Sequence, residues 1–151
     1  MEPVVAEYFS ELQCSRQWKG FLRAMAEEFS QQLAEGDLQA LMRRLGARFA
    51  QASPLPDCNT LDELQIAMGR IWVGQDWGWV ALEELPGSLR IQHYCSPLIT
   101  AFGPDSTAWS PAFLEGVYQE WFRQSQAGTL QVRQVSAPDA AGSIELRLEA
   151  A

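Results

Sequence analysis

The one histidine of this 151-residue chain, His93, stands two positions before Cys95. Nucleophilic catalysis by a histidine-assisted serine or cysteine needs an imidazole within hydrogen-bond reach of the nucleophile, so any such chemistry here rests on His93. Its parity along the segment 89–94 puts it on one face with Leu89 and Ile91, which reads as a core or interface histidine whose hydrogen bonds are satisfied. A His-x-Cys pair could touch a metal, yet no further histidine or nearby cysteine completes a tetrahedral set, and no metal is expected. Paired carboxylates could cut a glycosidic bond if one stayed protonated and the two flanked the sugar. Neighbouring Glu83 and Glu84 point to opposite faces of a strand, however, and Glu115 and Glu120 lie about 140° apart around a helix, so both pairs read as solvated or ion-paired acids. With no GxGxxG or P-loop spacing, no cofactor is expected either.

Nineteen acids against eleven bases give a net charge of −8, a field that repels phosphate backbones and anionic headgroups. Nucleic acid is therefore not expected as a partner, and no apolar run approaches the roughly 18 residues of a membrane span. The first seven residues lack the basic and apolar regions of a secretory signal. Cys14, Cys58 and Cys95 form an odd set without CxxC spacing, which fits reduced thiols in a cytoplasmic protein. Arg16, Lys19, Arg23, Arg43, Arg44 and Arg48 read as a solvated basic face that an acidic partner segment could use.

The elements that must position these groups follow from hydrophobic period. Phe21, Leu22, Met25, Phe29 and Leu33 recur at helical spacing, as do Leu38, Leu41, Met42, Leu45 and Phe49. Gly36 is expected to end the first of these helices and Asp37 to cap the second. Thr60-Leu61-Asp62-Glu63 has capping-box form ahead of a third helix carrying Leu64, Met68, Ile71 and Trp72. A shorter helix over about 5–12 precedes them. After Gly74 the period changes to two, and Trp77 to Glu84 with Leu89 to Tyr94 make a hairpin about Leu85-Pro86-Gly87. A loop over 96–108 leads to Ser110-Pro111, read as a serine cap with proline in the first turn. The helix that follows, to about Gln126, is apolar over nearly half its surface and is central or at a subunit contact. Leu130 to Val135 and Ser143 to Glu149 form a second hairpin. The expected architecture is α+β, a single domain with several long helices on one face of a four-stranded antiparallel sheet.

Six tryptophans exceed the usual share. Alternation places Trp77 and Trp79 on the strand face opposite Val80 and Leu82, where they would need a cover: another copy or a partner first, the chain's own core next, and the flat face of a sugar last. Trp109, Tyr118, Trp121 and Phe122 join them as candidate interface residues.

Several strings in series carry a resemblance. They are Cys58-Asn59-Thr60-Leu61-Asp62-Glu63-Leu64-Gln65-Ile66, then Trp77-Gly78, then Ser88-Leu89-Arg90-Ile91 with His93. Trp109, Leu114-Glu115-Gly116, Tyr118 and Trp121, and Ser125-Gln126-Ala127-Gly128 complete the series. In this order and spacing the chain resembles the D subunit of bacterial cellulose synthase. The resemblance marks Cys58, Thr60, Asp62, Gln65, Gly78, Arg90, His93, Glu115 and Gly116 as motif positions. It implies a non-catalytic accessory protein, a cylindrical octamer built as a tetramer of dimers, that arranges synthase complexes so that glucan chains emerge in order. It also implies association with the synthase complex and with a proline-rich accessory protein; such proteins are placed on either side of the inner membrane, and the missing signal and unpaired cysteines here favour the cytoplasmic side over the periplasm. β-1,4-Glucan chains would contact the N-terminal segment, by position at Glu2, Val4 and Glu7. Two rivals stay open: a small glucan hydrolase using Glu83 or Glu115, and a sensor whose aromatics enclose an apolar ligand.

Overall fold

The structure is a computed structural model that describes residues 2–151, the side chain of Ala6 apart. Four helices come first: α1 (Pro3–Leu12), α2 (Arg16–Gln32), α3 (Glu35–Ala52) and α4 (Leu61–Gly74). Their starts have local causes. Pro3 occupies the first turn of α1, Ser15 accepts from Gln17 N–H at α2, and Glu35 and Asp37 place negative charge at the start of α3. At α4 the Thr60 hydroxyl accepts from Glu63 N–H at 3.1 Å while the Glu63 carboxylate accepts from Asn59 N–H at 2.7 Å. Gly36 does not end α2: the break falls at Leu33 and Ala34, both extended, and Gly36 lies in the first turn of α3. A two-residue extended link turns the chain without needing a left-handed glycine.

Strands β1 (Trp79–Leu85) and β2 (Ser88–Tyr94) form the first hairpin, β3 (Leu130–Gln134) and β4 (Ile144–Ala150) the second. The hairpins join through their second strands, giving the antiparallel order β1-β2-β4-β3. Register aligns Leu82, Ile91 and Leu146, and likewise Val80, His93 and Ile144, on the face that meets the helices. The other face carries Glu83, Arg90, Glu145, Arg147, Arg133 and Glu149, laced by ion pairs such as Arg90–Glu83 at 2.8 Å and Arg133–Glu149 at 2.7 Å. Charge neutralised across strands leaves that face wet and well ordered, with little net stabilisation from any single pair.

Between the hairpins the expected loop contains a short helix, α5 (Leu98–Phe102), and a 3₁₀ turn over Pro104–Ala108, both too brief to show a period. The last helix is α6 (Ala112–Gln124). Ser110 does not cap it. Its hydroxyl is buried and donates to Ser106 Oγ at 3.2 Å, the Ser106 proton being given to Gly103 O at 2.7 Å, and no side chain caps the helix start. Helix α6 is the centre of the molecule, lying between the sheet and α3. Its approach to α3 is set by two facing glycines: a Cβ on Gly46 would stand 2.1 Å from the Phe113 carbonyl oxygen, and one on Gly116 2.1 Å from that of Arg43. Beyond the crossing, Trp121 Nε1–H donates to Ser53 O at 2.9 Å, and Gln124 ties Ala50 O and Leu55 N–H together.

Candidate functional site

The fold gathers aromatic residues from α3, α4, α6 and the link between α4 and β1 around the imidazole. Trp72 stacks on Phe49 with ring centroids 5.3 Å apart and on Trp77 at 5.7 Å. His93 is fully buried beside them. Its Nε2 lies 2.9 Å from the Trp77 carbonyl oxygen, which can only accept, so Nε2 carries the proton. Nδ1 then accepts from the Tyr118 hydroxyl at 2.7 Å, and that hydroxyl accepts from Trp72 Nε1–H at 3.0 Å. Every polar atom in this relay is matched, and only for neutral imidazole. Desolvation lowers the His93 pKa to about 4, the Trp77 carbonyl opposing it in part, and burial drives the Tyr118 hydroxyl well above its ordinary value. Cys95 turns away in a left-handed backbone conformation, its N–H bonded to Ser143 Oγ. His93 has no serine or cysteine among its hydrogen-bond partners.

Four of the candidate interface aromatics belong to the interior. Trp109, Tyr118, Trp121 and Phe122 are buried within the chain, the last three because α6 is enclosed by α3 on one side and the sheet on the other. Trp77 and Trp79 part company at Gly78. That residue has φ +81°, and a Cβ there would stand 1.8 Å from the Tyr94 carbonyl oxygen. The resulting kink breaks the alternation and turns Trp77 inward, half-buried against the core. Trp79, the first strand residue, is left 49% exposed and stacked on Tyr94 at 5.3 Å.

The remaining motif positions are structural in distinct ways. Thr60 caps α4, Asp62 is exposed in its first turn, and the half-buried Cys58 donates to Pro56 O at 3.3 Å. Arg90 bridges Glu83 and Glu145 across the outer sheet face. Gln65 and Glu115 guard the two sheet edges together with Gln119, a residue without a signal in the sequence pattern. Gln65 Oε1 accepts from Leu82 N–H of β1 at 2.7 Å. On β3, Gln119 accepts from Val132 N–H and donates to Leu130 O, both at 2.9 Å, and Glu115 accepts from Gln134 N–H at 3.2 Å. One amide side chain thus imitates the next strand, and a ready template for strand addition is closed. Replacing Gln119→Leu should free that edge and produce concentration-dependent association in sedimentation velocity. Sedimentation identical to wild type would show that the edge needs no guard.

The open apolar surface lies at the N-terminal end. Val4, Val5, Tyr8 and Leu12 are exposed along α1, and Trp18 and Phe21 along α2 pack edge to face with ring centroids 5.9 Å apart. Glu2 and Glu7 are exposed as well. The apolar positions of α1 were visible in the sequence; that no described part of the chain covers them was not. Three of the four carboxylates considered for hydrolysis are engaged, Glu83 with Arg90, Glu115 with Arg43, and Glu120 with Arg123, whose guanidinium holds the Glu120 carboxyl below its ordinary value, while Glu84 is exposed to solvent. A glycosidase acid needs the opposite shift.

A family model for the D subunit of cellulose synthase matches residues 4–149. The chain belongs to the cellulose synthase D-subunit family. It is 34% identical over 125 residues to a cellulose synthase operon protein D of Komagataeibacter xylinus, spanning 79% of this chain and 80% of that protein. A protein of the same name from Komagataeibacter sucrofermentans is 32% identical over 110 residues, 72% and 70% of the two chains. Family membership carries a role in cellulose synthesis. Among the described residues, no helix is long and apolar enough to cross a membrane.

Proposed function

We propose that this member of the D-subunit family is a non-catalytic scaffold that assembles with itself, as a ring-shaped octamer, and spaces synthase complexes so that glucan chains leave side by side. The observation that carries the reading is the uncovered apolar surface of α1 and α2. Tyr8, Trp18 and Phe21 are 63%, 56% and 59% exposed. Together with Val4, Val5 and Leu12 they offer on the order of 600 Å² per copy, close to the roughly 800 Å² each partner gives to a stable interface. Guarded sheet edges favour a closed assembly over a growing one, since growth by strand addition is blocked. The ion-paired state of Glu83, Glu115 and Glu120 speaks against hydrolysis, and three unpaired thiols favour the cytoplasmic side of the inner membrane.

Two further partners belong to this reading: a proline-rich accessory protein, and the glucan itself. Contact with glucan at the N-terminal segment is better served by the inner side of α1 than by Glu2, Val4 and Glu7. There Phe9, Ser10 and Gln13 face Asp76 and Trp79 across a groove of about 370 Å³, which offers two aromatic rings and several hydrogen-bond acceptors to a sugar.

Light scattering tests the scaffold. Eight copies of 16.9 kDa give a particle of about 135 kDa. The double variant Tyr8→Ser, Trp18→Ser should keep its circular dichroism, since both side chains are exposed, and fall to a dimer or smaller. A wild-type monomer at every concentration would overturn the scaffold.

A further inference from the structure

Helix α2 rests on the body of the protein over a hollow. Its inner side presents Leu22, and beside it the Arg23 guanidinium donates to Thr100 O at 3.1 Å. Below Leu22 the side chains of Met42, Trp77, Leu98 and Phe113 leave a cavity of about 230 Å³ unfilled. Leu45 of α3, 42% exposed, stands at its mouth. Met42, Leu98 and Phe113 are buried members of the main core, so the floor of the hollow reaches the interior while its mouth opens to solvent.

The lining decides what can occupy it. No charged or hydroxyl-bearing side chain contributes to the wall, and no polar atom opens into it. Water needs two to four polar partners to be held in such a place, so water is a poor occupant. A sugar or an anion would be stripped of its hydrogen bonds with nothing in return. Without an occupant the apolar wall stays in contact with solvent, a cost that burial under an apolar ligand would remove in proportion to the area covered. The chemistry that answers the wall is small, neutral and apolar. A cavity of about 150 Å³ lined by aliphatic and aromatic groups is enough for one benzene ring. This one is larger and carries the face of Trp77 besides.

We propose that this cavity is a binding site for a small neutral apolar molecule, one aromatic ring or a hydrocarbon chain of comparable volume. The occupant would touch Leu22 above and the core below, and so fasten α2 to the body. The exposed rings of Trp18 and Phe21 ride on the same helix. Occupancy therefore steadies a surface that faces outward, without the ligand being visible there. The site goes beyond the scaffold reading and does not depend on it.

Thermal unfolding of the full chain with toluene as the probe, followed by circular dichroism, tests the site. A saturable rise in midpoint of about 2 °C or more is expected, because a ligand that binds only the folded state shifts the equilibrium toward it. Phenol, similar in size but with a hydroxyl that the wall cannot satisfy, should give at least tenfold weaker binding. Ala101→Phe should fill the cavity from α5 and abolish the toluene response. Should that variant fail to fold, Leu45→Trp closes the mouth from an exposed position and must abolish the response in its place. No rise with wild type, or an undiminished rise in the folded variants, would overturn the site. A lower particle mass for Leu45→Trp without toluene would also overturn it, since the hollow would then be the seat of a side chain from another copy. Light scattering on the same samples keeps the two readings apart: an octamer indifferent to toluene sinks the cavity alone, and a monomer that binds it sinks the scaffold alone.

Discussion

One methyl group added at position 116 should cost the protein about 3 kcal/mol or more, a large part of the 5–15 kcal/mol that holds a domain folded. The Cβ of Gly116→Ala would stand 2.1 Å from the Arg43 carbonyl oxygen and 2.8 Å from its carbonyl carbon and Cα. All three are backbone atoms of α3, so no rotamer relieves the clash and the two helices must move apart. Gly46→Ala meets the same obstacle from the other side, 2.1 Å from Phe113 O and 2.7 Å from Val117 N. Separation would open the packing of Leu38, Met42 and Ala50 against Val117 and Trp121, deep in the interior. Gly36→Ala is the informative contrast. A Cβ there meets nothing within 4 Å, and the position lies in the first turn of α3, so this variant should gain up to about 1 kcal/mol. Urea unfolding of the three variants reads both signs. A Gly116→Ala protein as stable as wild type would mean that α3 and α6 do not meet where the two glycines place them.

Acid should weaken the protein well before the carboxylates titrate. His93 has a pKa of about 4 in the fold against 6.5 when unfolded. Above pH 6.5 both states are neutral and the full stability is present. As the pH falls from 6.5 toward 4 the unfolded chain takes up a proton that the folded one refuses, and roughly 3 kcal/mol is lost across that window. The refusal is structural. An imidazolium would need acceptors on both nitrogens, whereas Tyr118 Oη already accepts from Trp72 and directs its own proton at Nδ1. The Glu120 carboxyl, held low by Arg123, has the same sign but acts later: its contribution is present above its unfolded value of 4.5 and fades below it. Urea midpoints at pH 7.5, 6, 5 and 4.5 should therefore descend for wild type. His93→Gln, weaker at neutral pH, should be flat down to pH 5. Parallel profiles for the two proteins would assign the acid sensitivity elsewhere.

Where one residue's chemistry decided a local outcome, the sequence was readable. Thr60 and Glu63 announced the start of α4, Pro86-Gly87 the first hairpin, and the parity of Leu89, Ile91 and His93 the inner face of β2. Features set by distant backbone were not readable. The inward turn of Trp77 depends on Gly78 pressing against Tyr94 O, and the use of Ser110 depends on Ser106 reaching it first. The apolar wealth of α6 was correctly read as central or interfacial, but burial against α3 decided for the centre. The segment of α1 was read only as a short helix, and even a clear apolar stripe there would not have told what covers it, because periodicity reports that a face is apolar and says nothing of its partner. Gln119 is the sharpest omission: a glutamine on a helix carries no mark of pairing with a strand.

The meeting of Gly46 with Gly116 also has a consequence for synthesis. Helix α3 emerges from the ribosome long before α6, and its buried stripe of Leu38, Met42 and Ala50 has no other partner of comparable extent. The central pairing of β2 waits longer still, for β4. The nascent chain must therefore carry an open apolar helix and half a sheet while its middle is translated, so contacts of high sequence separation close late and set a slow folding rate. Such a chain would lean on chaperones during that interval, and slowing translation between α3 and α6 would lengthen its exposure rather than help it fold.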